Sequence, residues 1–181
     1  MSTDLGGHLL ISNASLFDPN FRRTVVLIGH HDEDGAVGVV LNRPLGVTVG
    51  EAVPPLADLV DAGDEVFEGG PVQPQAAVVL AEFLDPAVAT VVAFGSIGFL
   101  PEEVDDDDRS SIVRARIFAG YSGWGPGQLE AELAEDAWLL TPATEADVFT
   151  PDPDHLWDGV VARLGPAYAM LRSMPADPTL N

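Results

Sequence analysis

The chain has 181 residues, 46% of them hydrophobic, and sets 29 Asp+Glu against eight basic residues, all Arg, for a formal net charge of −21. With no Cys and no Lys it can form no disulfide, Cys-ligated zinc site or iron–sulfur cluster, and it has neither a P-loop lysine nor a Schiff-base lysine. Such acidity works against direct nucleic-acid binding, which needs cations for the phosphates, and against an anionic membrane surface; it favours solubility or a basic partner.

The first residues, MSTDLGGHLLISNAS, carry an acid and no basic stretch, unlike a signal peptide. No run approaches the 18 apolar residues of a membrane span. The expectation is a cytoplasmic protein. His8–Ser12 reads as a short apolar strand. Arg23–His31, rich in β-branched residues, reads as a buried strand. Asp34-Gly35 closes an acidic hairpin turn onto a partner strand at Ala36–Asn42, which Pro44 stops. Thr48–Val53 predicts a helical turn ended by Pro54-Pro55. Strands follow at Glu65–Glu68, Ala76–Glu82 and Ala89–Phe94, and EEVDDDDRSS reads as a charged, solvated loop. Val113–Tyr121 is a strand, Gly127–Glu135 a helix and Ala137–Thr141 a strand. In DPDHLWDGVVARLG, Leu156, Val160 and Leu164 share a helix face, Asp152 or Asp154 can cap its start and Gly165 its end. With strands linked as hairpins rather than βαβ units, the fold class is α+β: a single domain over 1–181 with its core at about 6–165 and a C-terminal tail at 166–181. The sheet is expected to be mostly antiparallel or mixed and curled towards a barrel, with packed helices.

Three segments, GHLLISNASLFDPNFRRTVVLIGHHDEDGAVGVVLNRPL, VFEGGPVQ and IFAGYSGWGPGQLEAELAEDAW, together resemble the YqgE/AlgH family of bacterial proteins in order and approximate spacing. The likeness covers most of residues 6–164 and is weakest at 85–110. It implies a single α+β domain with a β-barrel-like core and packed helices. It implies no agreed activity and no established catalytic residues. The family's occasional label as a transcriptional regulator comes from the alginate-regulation context of AlgH.

Four stretches admit a functional reading beside a structural one. In HHDEDG, a metal site would use His30, His31, Asp32 and Asp34, but neighbours on a strand point to opposite faces, so a solvated hairpin end is the simpler reading. Arg43, after Asn42 and before Pro44, either pairs with carboxylates or loop carbonyls, or edges a cleft and holds an anion in its planar fork. Gly69, Gly70 and Pro71 form either a structural turn or a ligand-lining loop. In YSGWGPGQLEAE, Pro126 fits the first helical position, Trp124 a core position, and Leu129 and Leu133 one face, with Glu130, Glu132 and Glu135 outside. Those glutamates weaken any anion site at the helix start. No G-x-S-x-G elbow or H-E-x-x-H motif is present.

The leading expectation is therefore a non-enzymatic protein that binds a partner protein or a small ligand in a regulatory role, with no cofactor and no metal. The alternative is a ligand-binding or hydrolytic protein with a cleft shared by Asn42, Arg43, Gly69, Gly70, Pro71, Gly123, Trp124, Gly127 and Gln128. A third reading, transcriptional control through DNA, conflicts with the charge.

Overall fold

The computed structural model describes residues 3–13, 21–101 and 103–174. β1 (His8–Ser12), β2 (Val25–Asp32) and β3 (Gly35–Val40) form an antiparallel meander. The last two are joined by a two-residue turn, with Asp32 opposite Gly35. Their residues alternate between two buried clusters. Leu9, Ile11, Val25, Leu27 and Val39 face one; Leu10, Val26, Ile28, Ala36 and Val40 face the other. A sheet region covered on both faces needs apolar residues on both, which is why these segments read as unbroken hydrophobic runs.

The remaining strands are β4 (Pro44–Thr48), β5 (Glu65–Glu68), β6 (Val72–Phe83), β7 (Val91–Phe94), β8 (Ile97–Pro101), β9 (Ile112–Trp124) and β10 (Trp138–Pro142). The main path of the sheet runs β10-β1-β2-β3-β9-β6-β8-β7, with β5 joining β4 to β9. β5 and β9 run parallel; the other paired strands are antiparallel. The domain is α+β, as expected, and its sheet is not closed. β7 returns beside β2, but among the described residues no ladder joins them.

Six short helices appear among the described residues: α1 (Val49–Ala52), α2 (Asp106–Ser111), α3 (Gln128–Ala134), α4 (Glu145–Val148), α5 (Leu156–Leu164) and α6 (Ala169–Ser173). Leu156, Trp157, Val160 and Val161 of α5 are buried in the cluster that holds Leu9 and Ile11 of β1. Leu129 of α3 covers the opposite face. Val49 of α1 and Leu56 of the following 3-10 turn cover β6, β8 and β9. Each such side chain taken out of water contributes roughly 1.5–3 kcal/mol before chain entropy is counted.

Several expectations are corrected. Pro44 opens β4 instead of ending its predecessor, which stops at Val40. β8 is a strand that the sequence pattern does not announce; Gly95-Ser96 turns the chain into it from β7. The aspartate run holds α2 instead of a solvated loop. Asp105 caps its start by accepting from Asp108 N at 2.8 Å, and Arg109 in its last turn reaches Asp58 at 2.6 Å. Acids at the start and a cation at the end suit the helix dipole. Residues 166–173, placed in the tail, form a 3-10 turn and α6, with Tyr168 and Leu171 packed on the core. Residues 175–181 of that tail lie outside the described residues.

Asp147 fastens α4 to α5. Its carboxylate accepts two bonds from the Arg163 fork, at 3.0 and 2.9 Å, and closes a capping box with Thr144. Burial opposes its ionisation, but the Arg163 and Thr144 bonds prevail and hold its pKa below the ordinary 3.8. A depressed carboxylate contributes stability above its unfolded value, and that contribution is lost as pH falls through the folded value. Asp147→Asn should therefore cost about 2 kcal/mol in urea unfolding at neutral pH. The gap from wild type should close below about pH 4. A gap that persists undiminished in acid would show that the contribution is not ionic.

Candidate functional site

Between β7 and β2, where the ladder is missing, packing takes over. A Cβ on Gly29 would lie 2.6 Å from Cε2 of Phe99, so the Phe99 ring lies directly on the Gly29 backbone. β8 thus touches β2 through a ring. Beside this contact opens a hollow of about 300 Å³. Each of six successive strands lines it: Gly29 and His30 from β2, Val37 to Val39 from β3, Tyr121 from β9, Val78 from β6, Phe99 from β8 and Val91 from β7. Its walls are wholly apolar, and His30 and Tyr121 border it through their carbon atoms. The volume sits at the small end of the roughly 300–1,000 Å³ of ligand pockets.

The rim beside His30 is acidic. His30 and His31 face opposite ways: His30 is exposed, and its Nε2 lies 2.7 Å from Asp32 Oδ2. The hydrogen bond with His30, with help from the backbone N–H groups of Asp34 and Gly35, keeps the Asp32 pKa below the ordinary carboxylate value. Glu33 and Asp34 are also exposed at this hairpin tip.

The nine residues singled out from sequence lie elsewhere; none lines this hollow. Asn42 clamps the entry to β2, accepting from Val25 N at 3.0 Å and donating to Arg23 O at 2.9 Å. Arg43 donates to Arg22 O at 3.2 Å, and its own carbonyl accepts from Glu68 N at 2.8 Å. Gly69 and Gly70 press backbone to backbone on β9. A Cβ on Gly69 would meet Gly120 O at 2.2 Å, and one on Gly70 would meet Tyr121 C and O at 2.3 Å. Only glycine fits there. Pro71 is exposed beside them. Gly69 and Gly70 thus lie against Gly120 and Tyr121 of β9, two to three residues before Gly123, which pairs with Val37, while Arg43 joins them through Glu68. Trp124, Gly127 and Gln128 belong to a separate corner. Gly127 is the helix cap (φ 74°), α3 begins at Gln128, and Gln128 Oε1 accepts from Gly125 N at 3.0 Å. Pro126 therefore precedes the helix instead of opening it.

The family model described as AlgH-like matches residues 9–169. A UPF0301 protein of Streptomyces coelicolor is 42% identical over 99% of this chain and 96% of its own length. One of Streptomyces avermitilis is also 42% identical, with the same coverage. Among solved structures, the crystal structure of a protein from Corynebacterium diphtheriae superposes with a TM-score of 0.83 at 25% identity, covering 94% of this chain and 92% of that one. The solution structure of the AlgH protein from Pseudomonas aeruginosa gives 0.71 at 32% identity, covering 97% and 96%. The fold is thus that of an established class of bacterial α+β domains. The chain belongs to the AlgH-like family.

Two glutamates of α3, expected to face outward, turn towards buried rings instead. His31, 4% exposed, accepts from Leu5 N at 3.2 Å through Nδ1, and its Nε2 lies 2.5 Å from Glu130. The backbone N–H of Glu130 and the bond from His31 together hold the Glu130 pKa below its ordinary value. Glu132 accepts from the indole N–H of both Trp124, at 2.9 Å, and Trp138, at 2.8 Å. The two rings pack edge to face, with Phe21 stacked on one and edge-on to the other. Burying an indole needs an acceptor for its N–H, and the only signal of it in the sequence is a glutamate placed between two tryptophans a few residues to either side. Glu132→Ala should leave two buried donors unpaired and cost about 2–4 kcal/mol. Glu132→Gln, which keeps an acceptor, should recover some of that. Chemical denaturation followed by tryptophan emission reads both; an Ala variant as stable as wild type would contradict the shared-acceptor account.

Proposed function

We propose that this protein works without catalysis, by binding a small, largely apolar molecule in the hollow between β7 and β2. The observation that supports the reading is the hollow itself: an apolar site of about 300 Å³ to which six strands contribute. A regulatory role would follow if occupancy altered how the open seam packs, since Phe99 forms both the wall of the hollow and the contact across the seam. Control through direct DNA contact is disfavoured by the charge of −21. The arginines are engaged in tying segments together: Arg109 with Asp58, Arg114 with Glu82 and Arg163 with Asp147.

The neutral dye N-phenyl-1-naphthylamine, which brightens in apolar surroundings, tests this directly. Saturable uptake near one dye per chain is expected. Val37 is 44% exposed at the rim, so Val37→Trp can block the hollow without disturbing the core, and it should weaken uptake about tenfold, or about 1.4 kcal/mol. Absence of uptake, or uptake indifferent to Val37→Trp, would refute the reading.

A further inference from the structure

We infer that the hollow selects an amphipathic cation: an apolar body bearing an amine or other positively charged head, seated with the head towards the tip of the β2–β3 hairpin. This rests on the binding reading above and adds the charge of the ligand to it. No Arg lines the hollow, and the chain has no Lys at all. An anionic ligand such as a fatty acid would therefore enter without a fixed cation to receive its carboxylate, and burying an unpaired charge is costly.

The rim offers the opposite partner. Asp32, Glu33 and Asp34 stand exposed at the hairpin tip, next to the lining residue His30. His30 Nε2 lies 2.7 Å from Asp32 Oδ2, so a carboxylate stands in hydrogen-bond reach of a lining residue. Tyr121 and Phe99 supply aromatic rings in the wall, and ring faces attract cations. Around the whole molecule, the charge of −21 raises the local concentration of cations and lowers that of anions at low salt.

A matched set of competitors separates the ligand's charge from its shape: 4-phenylbutylamine, 4-phenylbutanol and 4-phenylbutyrate, each displacing N-phenyl-1-naphthylamine from the full chain near neutral pH. The amine should displace the dye at concentrations about tenfold or more below those of the carboxylate in about 0.02 M salt, and the gap should narrow in about 0.5 M salt. The triple variant Asp32→Asn, Glu33→Gln, Asp34→Asn should bring amine and carboxylate towards parity while leaving dye affinity unchanged. If that variant loses its far-UV circular dichroism, Glu33→Gln with Asp34→Asn carries the same comparison. A carboxylate that competes as well as the amine, or a preference untouched by neutralising the tip, overturns the inference and leaves the binding reading standing. No dye uptake at all overturns both.

Discussion

The close approach of Gly69–Gly70 to Gly120–Ser122 is the constraint on which the rest of this sheet depends. Here β9 passes from its pairing with β5 and β6 to its pairing with β3. The Gly69 carbonyl stands at the junction, accepting from Val40 N at 2.9 Å and from the buried Ser122 hydroxyl at 3.0 Å. A side chain on either glycine would strike backbone, which cannot move aside as a flexible side chain can. β3 reaches β9 only through Ala36–Gly38 and Ser122–Trp124. Widening the junction would therefore pull apart neighbouring walls of the hollow. A Gly-Gly-Pro turn that lines no part of the hollow in this way sets its shape.

The fold was largely legible because the central strands repeat one physical instruction. Leu9 to Ile11 and Val25 to Ile28 are apolar at every position, as strands with two covered faces must be, and Asp34-Gly35 marks the hairpin from β2 to β3. β8 escaped because Ile97–Pro101 is short and lies in the stretch where the family likeness is weakest, although Gly95-Ser96 between two apolar runs was an available turn signal. α2 escaped because four aspartates look like a solvated run until Arg109 is weighed with them. The hollow was not legible at all. Its lining is four valines, two glycines, a phenylalanine, a tyrosine and a histidine, and what joins them is the order β2-β3-β9-β6-β8-β7, which no local pattern encodes. The residues that did stand out, Asn42, Arg43 and the glycines, owe their conspicuousness to backbone demands.

The scarcity of cations organises the surface. Arg116 lies over Phe67 and donates to the carbonyls of Val148 and Thr150, which brings the start of the C-terminal region onto β9; burial lowers its pKa from the usual arginine value. Arg114 lies over Phe149 while pairing with Glu82. Arg23 lies over Trp157 and donates to the Met174 carbonyl. In each case a planar guanidinium joins a ring to polar atoms across segments distant in sequence, a task for which lysine's single ammonium is poorly suited. Isolated surface pairs contribute little to stability, so these arginines matter more as packing elements that place the C-terminal helices than as charges.

The seam between β8 and β2 has a consequence for how such a domain can diversify. A hydrogen-bonded closure would lock the circumference to the strand register, and any change of bore would require re-pairing whole strands. Here the opposing walls meet by packing, Phe99 on Gly29 and, beside it, Gly7 against Ala93 and Phe94. The width of the aperture is therefore set by a few side chains. Exchanging the ring at position 99 for a smaller or longer side chain alters the opening without re-pairing a strand, so its width can vary among descendants of one scaffold through point substitutions.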